Sequence, residues 1–202
     1  MDTQRLMDWT RRSALRLAAT VAVLTLAAMA APSGASAAAF AKYDGIDGES
    51  KDANHENWTD ILNIDWGVSR PTVGASGQSR RRAAAVVEDM TITFEYEKSA
   101  PKILEKCLKG AVIPKLEIEL TSTYGGARAT YLRYELKNVS CTRYSVTGPT
   151  GDRSSDSTAG EGPPVVVVGN NFEEIKVTYT EYDDEGKSKG NVETEWKVEK
   201  GE

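Results

Sequence analysis

Met90-Thr91-Ile92-Thr93-Phe94-Glu95-Tyr96 alternates apolar and polar residues, so Met90, Ile92, Phe94 and Tyr96 share one face of a strand and Thr91, Thr93 and Glu95 the other. The same rhythm recurs on both sides. Upstream, Leu62, Ile64, Trp66 and Val68 make a row ahead of Pro71. Downstream, Leu116, Ile118 and Leu120 oppose Glu117 and Glu119, and Leu132, Tyr134 and Leu136 oppose Arg133, Glu135 and Lys137. Ile175, Val177 and Tyr179 oppose Lys176, Thr178 and Thr180, while Thr194, Trp196 and Val198 oppose Glu193, Glu195, Lys197 and Glu199. These patterns predict half-buried antiparallel strands. Between the last two rows, Asp183-Asp184-Glu185-Gly186-Lys187-Ser188-Lys189-Gly190 predicts a long-looped hairpin.

One segment changes period. Ser99 as N-cap, Pro101 in the first turn, and Ile103, Leu104, Cys107 and Leu108 at helical spacing before Gly110 predict a short amphipathic helix. The predicted fold is therefore mostly β: an antiparallel β-barrel of two packed sheets, capped by one short α-helix. Closure removes the unpaired edges that would otherwise invite aggregation. Two stretches lack periodicity, residues 71–85 with Gly74, Gly77 and Arg80-Arg81-Arg82, and residues 147–164, rich in Gly, Ser, Asp and Pro. Both read as long loops mobile on their own, and loops of this length within a domain are often binding elements.

The first 39 residues are of another kind: a basic start, an apolar run over residues 17–31, then a Pro/Gly/Ser break. They read as an export signal, leaving residues 40–202 as one β-barrel domain. The apolar run is shorter than the roughly 20 residues of a membrane span. Ala35, Ser36 and Ala37 supply the small-x-small shape of a cleavage site, with processing expected there or two residues later. Thr10-Arg11-Arg12-Ser13-Ala14-Leu15-Arg16 looks like a twin-arginine leader, departing at Ala14 where a bulky apolar residue is usual. An ordinary secretory leader is the alternative. Either places the mature protein outside the cytoplasm.

Removing residues 1–37 takes four of the 25 Lys and Arg and two of the 30 Asp and Glu, which leaves 21 basic against 28 acidic residues. An acidic surface of this kind repels nucleic acid and anionic lipid, so neither is an expected partner. Cys107 and Cys141 are the only cysteines, and an oxidising destination permits one bridge between them; bridge and free thiols both stay open.

Little points to catalysis. His55 is the only histidine, no nucleophile turn surrounds it, and it reads as a surface residue. Zinc needs several His or Cys ligands at short spacing, which the two distant cysteines do not provide. Asp44, Asp47, Glu49 and Asp52 crowd one loop without the alternate-residue spacing of a calcium loop, and read as a solvated turn. Gly186-Lys187-Ser188 lacks the preceding glycine of a phosphate loop. Glu117 and Glu119 read as outward, solvated carboxylates. No catalytic residue, metal or cofactor is expected.

The sequence after the leader carries Lys42-Tyr43-Asp44-Gly45-Ile46-Asp47-Gly48-Glu49-Ser50-Lys51-Asp52, then His55-Glu56-Asn57-Trp58 and Ile64-Asp65-Trp66-Gly67-Val68-Ser69-Arg70-Pro71. With Ser99-Ala100-Pro101-Lys102-Ile103-Leu104, Tyr131-Leu132-Arg133-Tyr134-Glu135-Leu136, and Val177-Thr178-Tyr179 through Trp196-Lys197-Val198, this order resembles the haemolysin-coregulated protein family, Hcp. The resemblance spans essentially the whole mature chain. It implies a structural protein that forms hexameric rings, stacked into the inner tube of the type VI secretion system with effectors in the lumen. It further implies that the loop holding Arg70, Pro71, Arg80, Arg81 and Arg82 contacts the neighbouring ring. The expected partners are copies of itself, effectors and other secretion-system components.

The sequence departs from the family in two places. A secretion tube is normally built in the cytoplasm without a leader, and residues 163–172, Pro163-Pro164-Val165-Val166-Val167-Val168-Gly169-Asn170-Asn171-Phe172, replace a more polar segment, which is expected to alter stacking. An exported barrel that binds a ligand or effector without building a contractile tube is the alternative reading.

Overall fold

A computed structural model describes residues 37–73, 81–82, 84–148 and 162–198. The alternating rows become strands in chain order: β1 (Ala38–Tyr43), β2 (Thr59–Asp65), β3 (Val68–Ser69), β4 (Thr72–Val73), β5 (Arg81–Arg82), β6 (Val86–Val87) and β7 (Met90–Glu95). Helix α1 (Ser99–Lys109) follows, then β8 (Ile113–Tyr124), β9 (Ala127–Thr147), β10 (Val165–Asn171), β11 (Glu174–Tyr182) and β12 (Ser188–Lys197).

Six antiparallel strands run β10-β7-β2-β1-β8-β9, and β9 pairs back onto β10, so the barrel is closed. Met90, Ile92 and Phe94 of β7, Leu116 and Ile118 of β8, and Leu136 of β9 are fully buried inside it. Burying each such side chain contributes roughly 1.5–3 kcal/mol. Closure depends on β9, whose 21 residues serve different neighbours in turn. Residues 132–137 pair with β11, and residues 140–147 pair with β10. The change falls at Asn138, which adopts a left-handed φ of 52°, a conformation that asparagine tolerates better than most residues. Beyond that point β11 and β12 leave the barrel as a two-stranded wing.

The strand closing the barrel comes from the segment that reads as a departure from the family. Val166 and Val168 of β10 are fully buried, paired with Phe94 and Ile92 of β7 and with Val146 and Tyr144 of β9. The valine run is thus barrel wall. Val165 and Val167 on its other face are half-buried as well, so the run is apolar on both faces and shows no period-two alternation.

The row Leu62, Ile64, Trp66, Val68 does not survive as one face. A bulge shifts the β2 register between Ile61 and Asn63, and Leu62 is turned outward, 58% exposed. Such a bulge inserts one residue and reverses the alternation around it. Trp66 lies beyond the end of β2, and Val68 starts a separate ribbon. At the described ends of residues 71–85, expected as irregular loop, the backbone is paired instead: Thr72 faces Arg82 and Val73 faces Arg81, and just outside them Val68 and Ser69 face Val87 and Val86. These paired ends make up an arm.

Helix α1 buries Ala100 and Ile103 and packs against β9. Lys98, not Ser99, occupies the N-cap position, and Ser99 is the first helical residue, its hydroxyl donating to Glu97 Oε1 at 2.6 Å. At the other end Gly110 takes a left-handed φ of 59° and its N–H reaches the Cys107 carbonyl at 3.2 Å, a usual helix stop. The last hairpin turns more tightly than expected: Asp183 N–H donates to the Lys187 carbonyl at 3.0 Å, so the strands extend to Tyr182 and Ser188.

Candidate functional site

The register carries the barrel's interior face out onto the wing. Leu116, Leu136, Ile175 and Trp196 form one cross-strand row, Ile118, Tyr134, Val177 and Thr194 a second, and Leu120, Leu132, Tyr179 and Val192 a third. Inside the barrel these rows are covered. Toward the tip of the wing they are not: Tyr179 is 48% and Val192 70% exposed. Among the described residues β12 pairs on one side only, so its outer backbone edge is free. The opposite wing face is polar, with Lys176 Nζ 3.0 Å from Glu193 Oε2 and Lys137 paired to Glu174. Those lysines hold the Glu174 and Glu193 carboxyls below the ordinary carboxylate range, against burial.

Where the apolar wing face meets the root of the arm, a cavity of about 370 Å³ is lined mainly by Trp66, Val68, Val87, Ile175, Val177 and Trp196. The Trp66 indole nitrogen is buried and has no hydrogen-bond partner among the described residues.

Arg70 and Pro71 are exposed at the root of the arm, and the backbones of Arg81 and Arg82 pair across it. Arg80 lies outside the described residues, as do Arg11, Arg12 and Ala35 of the leader; Ala37 immediately precedes β1. Cys107 on α1 and Cys141 on β9 come together in disulfide geometry, with sulfurs 1.89 Å and Cα atoms 5.0 Å apart.

Two residues differ from expectation. His55 is not at the surface: it is 3% exposed, with Nδ1 2.9 Å from Asp52 Oδ1 and Nε2 3.0 Å from Glu119 Oε2. Glu119 is not solvated either, being 7% exposed, because residues 44–58 lie over the outer barrel wall there. The acidic loop is likewise more than a solvated turn, since Asp52 belongs to this buried group and Asp47 pairs with Lys42 at 2.6 Å. No sequence periodicity signals a loop laid over a strand's polar face. Among the described residues no group of three or more His, Cys, Asp or Glu could hold a metal ion, and no helix is long and apolar enough to cross a membrane.

The fold superposes on solved type VI secretion proteins. One, described as a type six secretion system protein, superposes with a TM-score of 0.71 at 22% identity, covering 83% of this chain and 99% of its own. Hcp1 from Salmonella typhimurium gives 0.60 at 23% identity, with 81% and 96% covered. Residues 40–181 match the family described as type VI secretion system effector, Hcp, and the chain belongs to that family. Protein hcp1 of Pseudomonas aeruginosa is 27% identical over 159 residues, 78% of this chain and 92% of that protein.

Proposed function

We propose that this chain is a structural subunit that closes into hexameric rings, which stack into a tube of the type VI secretion system and carry effectors in the lumen. The observation that carries the reading is the uncovered apolar wing, ending in Tyr179 and Val192 beside the free edge of β12. A single subunit leaves that face wet, whereas a neighbour in a ring covers it. The contact is heterologous and must close on itself, and a stable one buries at least about 1,000 Å². Arg70, Pro71, Arg81 and Arg82 on the arm, with Arg80 adjacent in sequence, would meet the next ring, where arginines suit an acidic neighbour. Native mass measurement and negative-stain imaging of the chain from Ala38 onward are the test. Six-fold rings are expected, and a strict monomer at tens of micromolar would remove the basis for the reading.

The leader would export the subunit already folded, through Arg11 and Arg12, with cleavage at Ala35 to Ala37. The paired geometry of Cys107 and Cys141 supports an oxidising destination. Arg11→Lys with Arg12→Lys should retain unprocessed protein in the cytoplasm; unchanged export would refute the twin-arginine route.

The cavity beside Trp66 favours a second reading, an exported barrel that binds a ligand or effector without building tubes. Its signature is a small oligomer with saturable binding that is lost on Trp196→Ala.

A further inference from the structure

The buried ring of His55 lies away from wing and arm, between the loop of residues 44–58 and the barrel wall. Phe40 of β1 stacks on it with centroids 4.1 Å apart and planes 4° from parallel, and Trp58 meets it edge-on at 5.0 Å. Its two nitrogens face two different carboxylates, Asp52 and Glu119. A neutral imidazole donates at one nitrogen and presents a lone pair at the other, whereas an ionised carboxylate only accepts. Both contacts are satisfied together only when the ring carries two protons.

Both carboxylates are held ionised. Asp52 Oδ1 also accepts the Asn54 N–H at 3.0 Å, and Oδ2 accepts from Arg128 Nη1 at 2.7 Å. Glu119 Oε2 also accepts the Thr130 hydroxyl at 2.6 Å, and Oε1 pairs with Arg133 Nη2 at 2.5 Å. The His55 hydrogen bond draws the Asp52 carboxyl below its ordinary range despite burial. Burial pushes the Glu119 carboxyl up, but Thr130, His55 and Arg133 together bring it below its ordinary range. The charged groups facing the ring are thus Asp52 from the loop, Glu119 from β8, and Arg128 and Arg133 from β9 through those carboxylates. Strand β1 contributes Phe40 against the ring and Lys42 against the same loop, its Nζ bonding Asp47 at 2.6 Å and the Asn57 carbonyl at 3.1 Å, and Lys51 and Asp60 line the crevice alongside.

We propose that the doubly protonated His55 ring is a clasp pinning the loop of residues 44–58 to the barrel wall, released when the ring loses one proton. Without that proton a lone pair faces a buried carboxylate oxygen about 3 Å away, and contact turns from attraction to repulsion. Release would move the loop as a unit, because the loop is internally braced. A Cβ on Gly48 would stand 2.3 Å from the Trp58 carbonyl oxygen, and Gly48, Ser50, Asn57 and Trp58 N–H groups all bond within the loop. The same loop reaches α1, since Glu49 Oε1 accepts the Lys98 N–H at 3.0 Å and Glu97 Oε2 accepts the Glu49 N–H at 2.8 Å. The clasp belongs to the single subunit and stands whether or not rings form.

His55 is the only histidine in the sequence, so a tag-free, ¹⁵N-labelled chain yields one imidazole spectrum. Both nitrogens should carry protons as long as the loop is docked. As the ring loses its proton, amide exchange at Glu49 and Lys98, whose N–H bonds join the loop to the entrance of α1, corrected for intrinsic rates, should rise at least about tenfold, the scale of one lost charge-assisted bond, while Gly48, Ser50, Asn57 and Trp58, bonded within the loop, stay protected. His55→Gln should show the raised exchange at every pH, with no step. A singly protonated ring while Glu49 and Lys98 are still protected, or exchange at those two amides that stays flat as the ring loses its proton, would overturn the proposal. Should His55→Gln fail to fold, the wild-type titration decides alone.

Discussion

The Tyr43 hydroxyl donates to Asn170 Oδ1 at 3.2 Å inside the barrel, tying β1 to β10 across 127 residues of sequence. Asn170 in turn donates to the Met90 and Val168 carbonyls at 3.1 and 3.3 Å. Burial pushes the Tyr43 phenol far up, the Asn170 bond opposing only in part, so the hydroxyl stays protonated as a donor. The pair staples the strand that opens the barrel to the one that closes it.

Removing one member leaves the other buried and unsatisfied. Asn170→Leu should therefore destabilise the subunit by about 1–3 kcal/mol and Tyr43→Phe by about 1 kcal/mol, with the double variant losing less than the sum. Urea denaturation of the four proteins checks this. Additive losses would mean that the hydrogen bond does not couple the strands.

The bond between Cys107 and Cys141 spans 34 positions. By the chain-entropy argument it contributes about 3–4 kcal/mol. Reduction, or the paired Cys107→Ser and Cys141→Ser changes, should lower the denaturation midpoint accordingly. Reductant should have no effect on the double variant, and an identical response to reductant in both proteins would show that the bridge is not the cause.

Gly125 and Gly126 both adopt left-handed φ, 55° and 82°, at the β8–β9 turn, yet only Gly125 is also enclosed. A Cβ there would lie 2.2 Å from the Glu185 carbonyl oxygen of the β11–β12 turn, while Gly126 has open space. Gly126→Ala should cost about 1 kcal/mol from backbone strain alone. Gly125→Ala should cost clearly more and should also disturb the stacked Tyr124 and Tyr182 rings, 4.9 Å apart, in near-ultraviolet circular dichroism. Equal melting temperatures for the two variants would contradict the close approach of the turns.

The depressed Asp52 and Glu119 carboxyls fix the sign of an acid effect. A carboxyl whose folded-state pKa lies below its unfolded value contributes stability that is present above the ordinary range near 4 and lost as pH falls through the folded value. Stability measured from pH 7 downward should therefore fall in acid, and Asp52→Asn should flatten that fall. An unchanged acid limb in the variant would assign the effect to other carboxylates.

If wing and edge form the ring contact, Val192→Lys and Tyr179→Ser should convert rings to monomers while leaving monomer stability within about 0.5 kcal/mol, as surface changes usually do. Sedimentation combined with thermal melting separates the two effects. Intact rings carrying both substitutions would exclude this face from the contact.

The alternating rows of β7, β8, β9 and β11, the helix and its glycine stop were legible in the sequence, because backbone periodicity and helix punctuation are local properties. The order of familiar segments also pointed to the family. What the tertiary structure alone decided lay where a residue's surroundings come from elsewhere in the chain. The valine run of β10 became barrel wall because β7 and β9 flank it, and Leu62 faced outward because a bulge reversed its register against β7. His55 and Glu119 looked solvated because each sits in a polar local pattern, yet a folded-over loop buries both, setting the His55 ring on Phe40 between the arginine-bound carboxylates of Asp52 and Glu119. Alternation records which side of a strand is apolar; only the packed chain determines what is laid over the other side, and desolvation then sets the charge and pairing of whatever is trapped there.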